Sequence, residues 1–342
     1  MRALRMLAVA GVAAGLSSSG CERPGPPAKQ DSVAQGVPTP ATPSTPVADS
    51  LGWEESAGSV LLVADSAAQS AEVVFPELDD SALASTTRFD AARVRNVQLD
   101  LFARAGKVGE TSIPATAELK AGGDQASGGD PGEPDDSADS GDGGTGGGCA
   151  VWPTVRVPAA RAPASPGGAW TVAFLHGRAE AVALDSIEGM KRADSARFAA
   201  EVARIASAIP NDTAQSFFGL PFEVRSAFRF RAAPGVDAVV ATVVRKIGQE
   251  ANPREQHTLF IAERDSGKTS GPYRLAYVDR TSGGEDVVES REVLAAVTLG
   301  TRRAATLVLG RHFYEGWAYA LLERTGGPRA WRVRWNSAYA GC

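Results

Sequence analysis

The chain reads as a mainly β protein whose antiparallel meander forms a sandwich, a closed barrel or propeller-like sheets, with one amphipathic helix at about 186–209. Three observations predict this. From Pro221 to the C-terminus, short runs rich in Val, Leu, Ile, Thr and aromatic residues follow one another without a helical interruption. Most are parted by turn residues such as Ala-Pro-Gly, Ser-Gly-Gly and Thr-Gly-Gly-Pro. Only one segment sustains helical periodicity.

Residues 1–20 place Arg2 and Arg5 before an apolar run from Leu7 to Leu16, and small residues follow. This is the order of a secretory signal. The run is short of the roughly 20 residues that cross a bilayer. The stretch SSSGC, ending at Cys21, resembles a bacterial lipoprotein signal, with Ser19 and Gly20 in the family's pattern and Ser18 where an aliphatic residue is usual. The resemblance implies that Cys21 is lipidated and that the chain sits on a membrane surface of the bacterial cell envelope by its lipid anchor. Ser18 and Gly20 also satisfy the rule for ordinary signal cleavage, which leaves plain secretion as the alternative.

Residues 21–50 are rich in proline, alanine, serine and threonine, with little to bury, and read as a stalk. Residues 51–120 form a small β-rich region. SVLLVAD and AEVVF are strands, and RVRNVQLDLFARAGKVGETSI reads as two strands joined at Ala105-Gly106 with Val97, Leu99 and Leu101 on the buried face. Residues 121–148 hold eleven glycines, six aspartates, one glutamate and no basic residue. Such a tract cannot build a core. Its charge of −7 exceeds the −5 of the whole chain. The remainder is therefore slightly basic, and no nucleic-acid partner is expected, because that needs a concentrated basic face. The aspartates lack the spacing of calcium loops, so no metal site is read here.

The region 149–342 opens with CAVWPTVRVP and AWTVAFLHGRAEAVALDS, the latter a hairpin turning at His176-Gly177-Arg178. Asp185 and Glu188 have capping-box spacing, and Phe198, Val202, Ile205 and Ile209 recur at helical intervals up to Pro210. Eight strands follow: PFEVRSAFRFR, VDAVVATVVRKIG, HTLFIAER, YRLAYVDR, REVLAAVTLG, AATLVLGRHFY, EGWAYALLER and AWRVRWNSAY. If Cys21 is lipidated, Cys149 and Cys342 remain as a pair for a disulfide in an oxidising compartment, closing the large region almost end to end. For so long a loop the chain-entropy estimate is roughly 5 kcal/mol.

Catalytic motifs are sparse. AERDSGKT at 262–269 matches a relaxed phosphate-loop pattern, yet Ala262 lies in a strand and Ser-Gly-Pro-Tyr follows, so no helix N-terminus is there to receive a phosphate. Hydrolase signatures built on Gly-x-Ser-x-Gly, Ser-x-x-Lys or His-Glu-x-x-His are absent, and His176, His257 and His312 stand singly on separate segments. Acid pairs such as Asp79-Asp80 and Glu285-Asp286 sit beside Gly or Ser in loops, where a glycosidase-like carboxylate pair and ordinary surface charge have the same sequence signature. No catalytic residue and no cofactor is assigned. The C-terminal strand offers Trp331, Val333 and Trp335 on one face and Arg332, Arg334 and Asn336 on the other. Exposed, the two rings with Arg332 and Arg334 would make a platform for a glycan or peptide. Buried, they are core. The expected function is a lipid-anchored binding or structural protein of the envelope that meets an envelope protein or glycan. The alternatives are an extracytoplasmic hydrolase with residues converging from loops, and a glycan-binding module.

Overall fold

The computed structural model describes residues 52–64, 70–85, 89–120, 149–158, 169–210, 217–248, 253–267, 271–284, 287–301, 304–327 and 329–341. The signal, Cys21, the stalk, the tract at 121–148, Lys268, Thr269, Glu285, Asp286 and Cys342 lie outside the described residues.

The first sheet joins β1 (Leu61–Ala64), β2 (Ser70–Val74), β3 (Gln98–Ala103), β4 (Gly106–Ser112), β5 (Thr154–Arg156) and β6 (Val172–Leu175) in the order β4-β3-β6-β1-β2-β5. Between β2 and β3 lies the short helix α1 (Asp80–Ser85), whose first turn is held by Asp79 accepting from the Ala82 N–H at 2.8 Å. β3 and β4 pair as the sequence predicts. β6, from beyond the acidic tract, is inserted between β3 and β1. Residues of the 51–120 and 149–342 regions thus share one sheet and one apolar cluster.

Next along the chain come β7 (Ala179–Ala181), β8 (Asp185–Ser186), α2 (Arg192–Ser207), β9 (Glu223–Ala233), β10 (Val236–Ile247), β11 (Arg254–Asp265), β12 (Arg274–Gly283), β13 (Ser290–Leu299), β14 (Ala305–His312), β15 (Gly316–Arg324), β16 (Trp331–Asn336) and β17 (Ala340–Gly341). All eight predicted C-terminal strands form, as two four-stranded antiparallel meanders. β9–β12 with β8 make one sheet, and β13–β16 with β7 make another, to which β17 adds on β15. The reversal at 176–178 is not a hairpin: β6 pairs with β1 and β3 whereas β7 pairs with β13, so the chain steps there from one sheet to the next.

The sheets stack as a sandwich of three layers, and no sheet closes into a barrel among the described residues. The β13–β16 sheet is central. Val308 and Leu321 pack with Leu61, Phe102 and Phe174 of the first sheet, while Leu307, Leu309 and Leu322 pack with Phe230, Val240 and Leu259 on the other side. Burial on both faces is why β14 and β15 read as unbroken apolar runs with no polar alternation. The outer face of the β9–β12 sheet carries Val239, Ala241 and Phe260, and α2 covers it with Phe198, Val202 and Ile205. The helix starts at Arg192, later than the expected 186. Asp185 and Ser186 instead pair with β9, and the Ser186 hydroxyl accepts from Glu188 N–H in a single 3-10 turn. With no side-chain cap at Lys191, α2 depends on its apolar face, at about 1.5–3 kcal/mol for each fully buried side chain.

Candidate functional site

Glu72 lies in β2, within the run AEVVF, where alternation points its side chain away from Ala71 and Val73. There it faces β15 of the central sheet. The Trp317 indole N–H and the Tyr319 hydroxyl both donate to Glu72 Oε2, at 2.9 and 2.5 Å. The two donors occupy alternate positions on β15 and so share a face. Burial pushes the Glu72 carboxyl above the usual carboxylate range, against the lowering effect of the Tyr319 and Trp317 hydrogen bonds. The Tyr319 hydroxyl is pushed well up in turn, first by burial and then by the neighbouring carboxylate.

Glu72 forms part of the wall of a cleft of about 790 Å³, together with Trp317, Tyr319 and the β14–β15 turn from His312 to Gly316. The turn is held by Phe313 N–H donating to Gly316 C=O at 2.8 Å, and its Tyr314 ring is 68% exposed. Gly316 is required by close approach: a Cβ there would run into the Ala340 carbonyl and the Tyr339 ring. The cleft therefore combines a desolvated carboxyl, two fixed donors and aromatic surface.

A second cluster surrounds Asp100 in β3. Its carboxylate is buried and accepts from Gly177 N–H at 2.8 Å, contacts His176 Nδ1 at 2.9 Å and pairs with Lys107 at 2.8 Å. Burial alone would raise its pKa; the Lys107, Gly177 and His176 contacts outweigh that and hold it low. The Asp100, Glu110 and His176 ligand atoms lie within 4.8 Å of one another. However, Lys107 Nζ also sits 2.6 Å from Glu110. An ammonium already holds the position between the two carboxylates, so the cluster is an ion-pair lock on the 176–178 turn and a poor fit to a metal.

The C-terminal aromatic residues behave differently from a platform. Trp331 and Trp335 are buried on opposite sides of β16: Trp331 packs toward Phe230, Trp335 toward Trp53. A register shift between Leu321 and Leu322, opposite Arg334, breaks the alternation that would have put both rings on one face. Trp331 N–H donates to Glu263 at 2.7 Å and Trp335 N–H to the Pro76 carbonyl at 3.0 Å. Arg334 is buried between Glu54 and Glu323 at 2.7 and 3.0 Å, and only Arg332 of the four is substantially exposed. These residues interlock the layers and share no common surface.

His257 contacts Glu255 at 2.6 Å and His312 lies 3.5 Å from Glu292, so the three histidines do not converge. Cys149 is disulfide-bonded, and the adjacent Ala150 exchanges backbone hydrogen bonds with Gly341 at 3.1 and 2.7 Å. Sequence reading missed Glu72 because its donors lie 245 and 247 residues away. The signal available was the lone acid in an otherwise apolar strand. No family model matches the chain, and neither the curated proteins nor the solved structures include a match.

Proposed function

We propose that the protein is a lipid-anchored binding protein of the bacterial cell envelope, and that it holds a saccharide in the cleft at Glu72. The observation that carries this reading is the Glu72 carboxyl, fixed through one oxygen by Trp317 and Tyr319 in an aromatic-walled cleft. A carboxyl offers about four lone-pair positions, and two at most are used here, leaving acceptors for sugar hydroxyls. Aromatic faces complement the apolar C–H faces of sugar rings, and polar groups fixed before binding reduce the entropy cost of recognition.

Titration calorimetry with tetramers of N-acetylglucosamine and of glucose tests the reading. Saturable binding to at least one, lost in Trp317→Ala and weakened about tenfold in Glu72→Ala, is expected. Absence of binding to both, or binding indifferent to these changes, overturns it. The raised Glu72 carboxyl and a second acid, Glu315, on the same cleft wall favour a second reading, glycoside hydrolysis, with Glu72 protonating the leaving oxygen and Glu315 as the base that activates the attacking water. Release of reducing ends during the same incubations would support hydrolysis over binding.

Anchoring at Cys21 rests on the signal resemblance. Intact mass from native envelopes is expected to begin at Cys21 with acyl chains attached, whereas an unlipidated mass would mean plain secretion. The pairing of Cys149 with Cys342 is supported by the Ala150–Gly341 bridge, which brings their chain neighbours together. A non-reducing peptide map linking Cys149 to Cys21 instead would refute both assignments together.

A further inference from the structure

Strand β9 is eleven residues long, yet on the side away from β10 only Phe228 and Arg229 have strand partners, the two residues of β8. From Phe230 to Ala233 its edge has no strand beside it among the described residues. Along this open edge runs a groove of about 840 Å³, with Ala181 and Ala183 on its far wall. The side chains alternate. Arg229 and Arg231 project to the outer face, and Phe230 and Ala232 to the inner one, where they join the core cluster between the sheets.

The arginines are not equally free: Arg229 lies over the Phe198 ring at 4.0 Å and Arg264 over the Tyr273 ring at 4.4 Å, Asp185 and Asp237 share the groove wall with them, and their ion pairs are long. Arg231 stands 3.5 Å and Arg264 3.7 Å from the same acid, Asp237, and Arg229 stands 3.6 Å from Glu201. All three separations exceed a hydrogen bond. The Arg229 Nε is buried with no hydrogen-bond partner among the described residues, and the Arg231 side chain is 64% exposed. Protein edges are commonly guarded by charge pointing inward or by Pro within the strand. Here the inward positions are Phe and Ala, Pro234 comes only after the last strand residue, and the one guard is a register shift at Ala232, between the Arg231–Asp237 and Ala233–Val236 pairs, which an added strand would have to follow.

We propose that this edge binds an extended acidic segment of a partner protein by strand addition. The segment's main chain continues the ladder along 230–233. Its acidic side chains meet Arg229, Arg231 and Arg264, and its alternate small side chains enter the alanine-lined wall. Main-chain pairing supplies affinity, and the arginine row selects acidic over neutral sequence.

The test uses a capped octapeptide alternating Asp and Val, a counterpart with Asn for Asp, and an Asp/Val peptide N-methylated at alternate residues, with binding to the full chain followed by calorimetry. Expected is saturable binding of the acidic peptide. It weakens roughly threefold in each of Arg229→Gln and Arg231→Gln, and roughly tenfold or more on N-methylation. Both arginines are partly exposed, so these variants should fold. In addition, Ala183→Trp, at an exposed wall position, should block the groove without touching the core. Binding indifferent to N-methylation would mean adsorption by charge alone and overturn strand addition, as would no binding. A dimer of the peptide-free protein that acidic peptide cannot dissociate would overturn the proposal by giving the edge to a second copy. Binding seen only after residues 121–148 are removed would overturn the assignment to a partner in favour of the chain's own acidic tract.

Discussion

At Glu72 a single carboxyl meets two opposing demands. Its acceptor oxygen organises Trp317 and Tyr319, while its charge is costly where it lies. Because burial raises its pKa above the ordinary 4.5, its contribution to stability is complete below the unfolded value and is lost as pH rises through the folded one. Glu72→Gln keeps an acceptor and drops the charge. The variant should therefore melt above the parent at neutral pH, and the difference should close as pH falls below the usual carboxylate range; an offset constant with pH would contradict this. Glu263 is the opposite case. It is buried, binds Arg324 at 2.8 and 3.2 Å and accepts from Trp331. Glu263→Ala strands a largely buried guanidinium and an indole N–H, and should cost about 3 kcal/mol or more in urea unfolding. A loss below about 1 kcal/mol would mean that water replaces the carboxylate.

Among the elements, β14, β15 and α2 were legible because each is set by local sequence. Unbroken apolar runs and a helical stripe survive whatever they pack against. β16 was only half legible: its existence follows from Trp-Arg-Val-Arg-Trp, but the register shift opposite Arg334 is imposed by pairing to β15, and it reverses the side to which Trp335 points. The reversal at Gly177 was visible as a turn, yet nothing local says that β6 and β7 go to different sheets. The Asp100 carboxylate holds that step through the Gly177 N–H and the His176 ring. Asp100→Asn should destabilise by about 2 kcal/mol at neutral pH. Since the Asp100 pKa is held low, the deficit belongs to the ionised form and should fade only as acid protonates the parent carboxylate. At the cleft, Gly316→Ala would push the backbone away from Ala340 and Tyr339, detaching β17 from β15. Hydrogen exchange at Gly341, otherwise bonded to Ala150, should quicken in that variant.

For the molecule as a whole, the order of layers follows from which faces are apolar, but the sequence does not say that the first sheet needs strands from both sides of the acidic tract. That arrangement bears on how the chain is made. β1 to β4 are synthesised first, yet β1 and β3 are not neighbours until β6 arrives between them, from beyond residue 170. Until then their inner edges, including Leu62, Val63, Leu99 and Leu101, lack the strand they pair with. A nascent chain arrested after residue 150 should be digested readily by added protease, and one arrested after residue 342 should resist. The two early hairpins, β1–β2 and β3–β4, are thus held apart as unjoined halves while the middle of the polypeptide is still emerging, and their open edges expose the chain to aggregation if completion is delayed.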